Sequence, residues 1–153
     1  MDKPKKKPLG ERGQSLVEFA VMLVILLVLL LGIADFGRAF LIYLSLRDAA
    51  QEGAVYASIC PTDVTEIQNR SLQSSTGIVD LSTDPNVSFE CFYIGPGGET
   101  SCSGAPTPGY GVKVRVTYSN YQLMTPLLAT FTGTDTFTMH AEATDSILRD
   151  SCP

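Results

Sequence analysis

The sequence predicts an α+β protein in which one long N-terminal helix packs on a small three-stranded antiparallel sheet. Two observations favour this fold class. Residues 14–58 read as one helical segment without an internal proline, and three later runs alternate between apolar and polar residues, as strands with one buried face do. The chain therefore divides into a basic leader of residues 1–13, the long helix of residues 14–58 and an outer domain of residues 59–153.

The first half of the long helix has the length and composition of a membrane span. Residues 16–34 contain a single charged side chain, Glu18. At 1.5 Å per residue this run covers about 28 Å, close to the hydrocarbon thickness of a bilayer. An ordinary secretory signal peptide is the alternative, but its apolar region is shorter, and here the helical pattern continues beyond the run. We therefore predict that the helix stays in the membrane, in contact with lipid.

Charge is distributed unevenly along the chain. Five of the 11 basic residues precede the apolar run, and these are Lys3, Lys5, Lys6, Lys7 and Arg12. The positive-inside rule then predicts a single-pass protein of the cytoplasmic (inner) membrane, with its N-terminus in the cytoplasm and its C-terminal domain outside. The rest of the chain is acidic, and binding to nucleic acid needs Lys and Arg, so we predict no nucleic-acid partner.

Small side chains recur on one face of the second half of the helix. They fall at helical spacing after Leu46, and they are Ala50, Gly53, Ala54 and Ala57. Small residues on one face allow another part of the backbone to approach closely. The sequence therefore predicts that this face packs on the sheet, and Pro61 marks the end of the helix.

All four cysteines follow the apolar run, which indicates an oxidising compartment and disulfide bonds. They are Cys60, Cys91, Cys102 and Cys152. Four cysteines allow three connectivities, and the sequence does not choose among them. Locality favours a Cys91–Cys102 bond, and a Cys60–Cys152 bond would then close a long loop between the helix end and the C-terminal tail.

Three segments of the outer domain have the alternation expected of strands: residues 86–94, 110–118 and 134–147. The second is the clearest, with apolar residues on one face and Lys113, Arg115 and Thr117 on the other. In the third, the small residues Ala141 and Ala143 are expected to meet the small face of the helix.

The segments between these elements are less regular. A short helix is predicted over residues 64–73, capped by Thr62 or Asp63. Residues 95–109 are rich in Gly and Pro and are predicted to form a loop. Residues 123–131 are apolar and fit either the core or an exposed contact with another protein, with the core favoured.

Glu18 is the anomaly of the apolar run, because a carboxylate inside a membrane segment is costly and usually has a partner. It lies five residues after Gly13. Cleavage between Gly13 and Gln14 would create an α-ammonium group one helical turn from this carboxylate. An ion pair within one subunit, or between two, would offset the burial of both charges. The sequence therefore predicts Gly13, Gln14 and Glu18 as a processing site.

This arrangement resembles the class III prepilin signal of type IV pilus and type II secretion systems. Residues 12–57 resemble more specifically the TadE-like family of the tight-adherence (Flp) pilus machinery. The residues that match the family pattern are Arg12, Gly13, Val17, Glu18, Phe19, Ala20, Gly32, Ile33, Asp35, Phe36, Gly37, Arg38, Ala49, Ala50, Glu52, Gly53 and Ala54. The sequence departs from the pattern in having Asp35 where glutamate is frequent, and in lacking an early proline in the apolar run.

The resemblance implies a minor pilin or pseudopilin that takes part in pilus assembly and surface attachment. The implied partners are a prepilin peptidase, other pilins or pseudopilins packed through the N-terminal helix, and the tight-adherence assembly platform. After assembly the protein could reside in an extracellular pilus. The alternative from the residues alone is an unprocessed, membrane-anchored binding module outside the cytoplasm.

No pattern in the sequence indicates catalysis. The only histidine, His140, falls on the polar face of a predicted strand, and neither a nucleophile elbow nor a phosphate-binding loop occurs. The cysteines contain no CxxC pair. We therefore predict no enzyme activity, no metal site and no cofactor.

Overall fold

The computed structural model describes residues 11–75, 79–123 and 133–152, and for Glu11 and Arg12 it describes the backbone only. Helix α1 runs from Glu11 to Ile59, and helix α2 from Val64 to Gln73. The strands are β1 (Val87–Gly95), β2 (Gly98–Ser101), β3 (Gly111–Gln122) and β4 (Thr136–Ser146). They form one antiparallel sheet in the order β2-β1-β3-β4.

The long helix on an antiparallel sheet confirms the predicted fold class, but the prediction of three strands was wrong. The additional strand, β2, lies inside the predicted loop of residues 95–109. It pairs with the end of β1 through a tight turn at Pro96 and Gly97, with Gly95 opposite Gly98. Gly98 has φ of +100°, a conformation that favours glycine. All four residues of β2 are exposed, so backbone pairing rather than side-chain burial defines this strand.

The core lies between the second half of α1 and one face of the sheet. Ala50, Ala54 and Ala57 are buried on the helix, and Val112, Val114 and Val116 are completely buried on β3. Ala141 of β4 is buried as well. Small helix side chains against branched strand side chains allow the short distance between layers that the sequence pattern indicated.

Gly53 is a point of close approach between α1 and the rest of the domain. A Cβ atom at this position would lie 3.0 Å from the Cβ of Ser71 and 3.0 Å from Cγ1 of Val114. The hydroxyl of Ser71, on α2, donates a 2.8 Å hydrogen bond to the carbonyl of Ala49. Helix α2 and strand β3 therefore both meet α1 at a position where no side chain intervenes.

Helix α2 has the predicted bounds. The side chain of Asp63 accepts a 3.0 Å hydrogen bond from the backbone N–H of Glu66, which satisfies one of the free donors at the helix start. Ile67 is completely buried, while Val64 and Leu72 are half-buried against the core. Ile78, which follows this helix in the sequence and was a weaker candidate for the core, lies outside the described residues.

Strand β3 extends beyond its predicted end at Tyr118. The pairing with β4 shifts register between Tyr118 and Tyr121, and Asn120 has φ of +58° within this irregularity. Pairing resumes with Tyr121 opposite Phe137. The bulge returns the Tyr121 ring to the core side, where it is 1% exposed.

Residues 124–132 lie outside the described part of the chain. The choice between core and exposed contact for residues 123–131 therefore stays a prediction, apart from Leu123, which is half-buried against the core.

Candidate functional site

Helix α1 has two halves with opposite surroundings. Among the described residues, one helix is long and apolar enough to cross a membrane, and none of its most apolar window is buried within the protein. Leucine, valine and isoleucine side chains on residues 16–31 are 40–69% exposed. Soluble monomers rarely expose an apolar surface of this size, and where one occurs it marks a membrane or protein contact. The apolar helix is therefore the membrane anchor of a single-pass protein.

The predicted processing residues lie together at the start of α1. Gly13, Gln14 and Glu18 are exposed, and the helix continues through all three. The side-chain amide of Gln14 donates a 3.3 Å hydrogen bond to the carboxylate of Glu18. Residues four apart share a helix face, so the backbone nitrogen of Gln14 and the carboxylate of Glu18 are separated by one helical turn.

The predicted packing residues lie far from this segment. Ala50, Gly53, Ala54 and Ala57 are all buried under the sheet and α2. From Gly13 to Ala50 the helix rises about 55 Å. The protein thus presents two separate regions along one helix, an exposed apolar half with the processing residues and a half occupied by its own outer domain.

Two disulfide bonds brace the outer domain. Cys60 pairs with Cys152 across 92 residues, and Cys91 pairs with Cys102 across 11 residues. These are the two pairs favoured among the three connectivities. The first joins the end of α1 to the C-terminal tail, and the backbone N–H of Leu148 also donates to the carbonyl of Ser58 at 2.8 Å. The second holds the β1–β2 hairpin to its own strand.

The sheet has a membrane-proximal and a membrane-distal end, which sequence reasoning did not anticipate. At the proximal end, the hydroxyl of Tyr121 donates a 3.3 Å hydrogen bond to the backbone carbonyl of Asp35, directly after the apolar run. The guanidinium of Arg38 lies 5.4 Å from the centre of the same ring. At the distal end, the hydroxyl of Tyr93 donates to the carbonyl of Pro61.

Asp35 directly follows the apolar run, where a charged side chain would ordinarily face solvent, but its side chain is buried (3% exposed). The end of β3 contacts the backbone at this position through Tyr121, which is 86 residues away in sequence. A helical pattern alone carries no information about that contact. The one local signal was Tyr121, an aromatic residue that falls outside the alternation ending at Tyr118.

The outward face of the sheet carries a network of charges. The guanidinium of Arg115 bonds to the carboxylates of Glu142 and Glu90, while the ammonium of Lys113 pairs with Glu99 and Glu142. The hydrogen bond from Arg115 lowers the pKa of the Glu142 carboxyl. These pairs connect all four strands, so the network favours a structural interpretation of the face.

The distal end contains a concave surface of about 390 Å³. The β1–β2 turn and the segment before β3 form it, and Pro96, Thr100, Thr107 and Tyr110 contribute to its lining. The ring of Tyr110 rests against Gly95, where a Cβ atom would lie 2.7 Å from its Cε2 atom. Within the described residues its lining includes no charged side chain.

The fold is that of a membrane-anchored α+β protein. The first half of its N-terminal helix is apolar and exposed, and the second half packs under the sheet. The model of one family, described as TadE-like protein, matches residues 13–55 of the chain. The match begins at the predicted processing glycine and ends in the packing face of α1. It confirms the resemblance to the TadE-like family over this stretch, which is a little over a quarter of the chain.

Neither the curated proteins nor the solved structures that were compared contain a significant match to the chain.

Proposed function

We propose that the protein is a minor pilin or pseudopilin that takes part in the assembly of a tight-adherence pilus and in surface attachment. The observation that carries this proposal is the position of Glu18. It is the one carboxylate of the apolar run, it lies one helical turn from the nitrogen of Gln14, and the family match starts at Gly13.

In the proposed processing step, a prepilin peptidase hydrolyses the amide bond between Gly13 and Gln14. Water supplies the hydroxyl that completes the Gly13 carboxylate and the proton that completes the Gln14 amine. The leader leaves with five basic residues, which removes the charge that holds the N-terminus in the cytoplasm.

The new α-ammonium group then pairs with the Glu18 carboxylate of the same copy or of a neighbour. Each charge is costly alone in the hydrocarbon layer, and pairing offsets part of that cost. A pair between two copies also fixes their relative height, because a single axial position brings the two charges together. The exposed apolar half of α1 is the proposed contact surface for other pilins or pseudopilins.

The proposed location follows from charge and cysteine chemistry. The leader lies in the cytoplasm, the outer domain forms its disulfides outside the inner membrane, and the tight-adherence assembly platform extracts the processed chain. The second half of α1 is packed under the sheet, and two disulfides crosslink the outer domain. Both features favour a domain that stays folded while the chain is extracted from the membrane.

Cleavage is tested by co-expressing the full-length chain with a prepilin peptidase and measuring the intact mass. The expected product begins at Gln14. Gly13→Leu should leave the chain uncleaved, and Gly10→Leu, a matched change in the same leader, should leave cleavage unchanged. A wild-type product that keeps its lysine leader contradicts the proposal.

The role of Glu18 is tested separately with Glu18→Gln. We expect cleavage to continue while incorporation into filaments is lost, as measured by the amount of the protein in sheared pili or in crosslinked assembly complexes. Asp48→Asn, which removes an exposed carboxylate farther along the same helix, is the control and should assemble normally. Normal assembly of Glu18→Gln would exclude the ion pair.

A second candidate function is an unprocessed, membrane-anchored binding module. The concave surface beside Tyr110 favours it, because its volume falls in the range of small-molecule sites. The two functions differ at the N-terminus of the protein in its native membrane, which retains the lysine leader only for the binding module.

A further inference from the structure

We propose that the proximal end of the sheet, where the exposed Phe137 and Arg38 flank the buried Tyr121 ring, lies in the headgroup layer of the membrane that α1 crosses. This proposal rests on the membrane anchoring of α1 and does not depend on leader cleavage or pilus assembly. It concerns a surface of the outer domain rather than the spanning helix.

The distance of this surface from the hydrocarbon layer follows from its contacts with α1. The hydroxyl of Tyr121 bonds to the carbonyl of Asp35 at 3.3 Å, and the Arg38 guanidinium lies over the Tyr121 ring. These helix residues are one and four positions beyond the apolar run, which places them about 1.5–6 Å past the hydrocarbon boundary. The headgroup layer of one leaflet is about 5–8 Å thick. The two helix residues and the ring that contacts them therefore lie within it.

The side chains at this height have the chemistry of a membrane interface. The Phe137 ring lies 4.9 Å from the Tyr121 ring and is 39% exposed, and Phe36 on the helix is 73% exposed. Aromatic rings concentrate at the boundary between headgroups and acyl chains. Arg38 is also exposed and offers a cation to lipid phosphate, whereas the carboxylate of Asp35 is buried away from that surface.

The opposite end of the sheet provides an internal comparison. Tyr110 is 38% exposed, nearly the same as Phe137, but it precedes the distal end of β3. Along the strand this places it about 35 Å from Tyr121, well beyond the headgroups. Phe137 and Tyr110 are therefore almost equally exposed, but they lie at different distances from the membrane.

The test exploits the absence of tryptophan from the sequence, since each introduced tryptophan is then the only one. Full-length variants Phe137→Trp, Tyr110→Trp and Leu30→Trp are reconstituted in vesicles of phosphatidylcholine and phosphatidylglycerol. The vesicles contain lipids brominated at shallow or deep acyl positions. Gln122→Trp, an exposed position beside Tyr121, provides a second probe at the proximal end. Intact mass verifies both disulfides in every variant.

We expect lipid to quench Phe137→Trp and Gln122→Trp several-fold more than Tyr110→Trp, most strongly with shallow bromines. Leu30→Trp, inside the apolar run, should be quenched most strongly by deep bromines. Quenching of Phe137→Trp no greater than that of Tyr110→Trp, with Leu30→Trp quenched, would overturn the proposal and leave the anchor intact. An unquenched Leu30→Trp would overturn the anchor and this proposal together.

Discussion

The hydroxyl of Tyr93 donates a 2.6 Å hydrogen bond to the backbone carbonyl of Pro61, 32 residues earlier in the chain. Tyr93 belongs to β1 and is 5% exposed, and Pro61 directly follows the Cys60 bond to the C-terminal tail. Burial raises the pKa of the Tyr93 hydroxyl, so it remains a donor at neutral pH. This contact fixes the distal end of the sheet to the end of α1.

Replacing Tyr93 by phenylalanine should therefore destabilise the outer domain. The change removes the donor and leaves a buried carbonyl without it, which costs about 1–3 kcal/mol. The measurement is the urea midpoint of the detergent-solubilised full-length protein, followed by proteolysis. Tyr110→Phe is the matched control, because this ring is exposed, and it should change stability by about 0.5 kcal/mol or less. Equal urea midpoints for the two variants would show that the hydrogen bond to Pro61 does not contribute to stability.

Gly53→Val should also destabilise the domain, by about 1–3 kcal/mol, because added carbon atoms meet Ser71 and Val114 with no free space. Gly37→Val introduces the same side chain into the same helix, where a Cβ atom has no neighbour within 4 Å. That control should be neutral or slightly stabilising, by about 0.5 kcal/mol or less. The same urea assay compares them, and a stable Gly53→Val variant would show that α2 can shift away from α1.

The two disulfides should contribute unequally to stability. In the chain-entropy model, the 92-residue separation of Cys60 and Cys152 corresponds to about 4–5 kcal/mol, and the 11-residue separation of Cys91 and Cys102 to about 3 kcal/mol. Double serine variants of each pair serve as controls for one another. We expect the Cys60→Ser/Cys152→Ser protein to unfold at the lower urea concentration, and the reverse order would reject loop entropy as the main contribution.

The charge network predicts a specific dependence of stability on pH. The hydrogen bond from Arg115 lowers the pKa of Glu142 in the folded protein. The ionised Glu142 carboxylate therefore stabilises the fold fully at a pH above the usual glutamate pKa of about 4.5. This stabilisation is lost as the pH falls through the lowered pKa of Glu142 in the folded protein. Glu142→Gln should flatten the decline in stability below that pH.

The Arg115→Gln background is the control for this pH effect. Without the guanidinium, the largest cause of the shifted Glu142 pKa is absent, so adding Glu142→Gln should alter the pH profile less than it does in the wild-type chain. Urea midpoints measured across the acidic range for all four proteins provide the comparison. An equally large effect in both backgrounds would assign the pH dependence to other carboxylates.

The sequence predicted elements whose side chains alternate between core and solvent, and it missed those defined by other interactions. The valines at positions 112, 114 and 116 alternate because β3 has one face in the core, so this strand was predictable. Strand β2 has no buried residue, and only its backbone pairing with β1 reveals it. The contact of Tyr121 with Asp35 joins residues 86 positions apart, which no pattern within α1 could indicate.

Lys113 illustrates the same limit on the outward face. Alternation assigned it to solvent, yet it is 8% exposed, because Glu99 from β2 and Glu142 from β4 lie on either side and Phe92 lies beneath it. The order of the strands in the sheet determines this burial, and the sequence of one strand does not indicate which strands lie beside it. The relative placement of Gly13, Gln14 and Glu18, by contrast, was predictable, since it depends on spacing along one helix, while their role in processing stays a prediction.

The Cys60–Cys152 bond also determines how the molecule would bear mechanical load. A force applied between α1 and the chain at Cys152 passes through one covalent bridge at the helix end. The 92 residues of sequence separation between the two cysteines form a closed ring that carries none of that tension. Pulling in this direction would therefore extend neither α2 nor any strand of the sheet, and the domain would behave as an inextensible link.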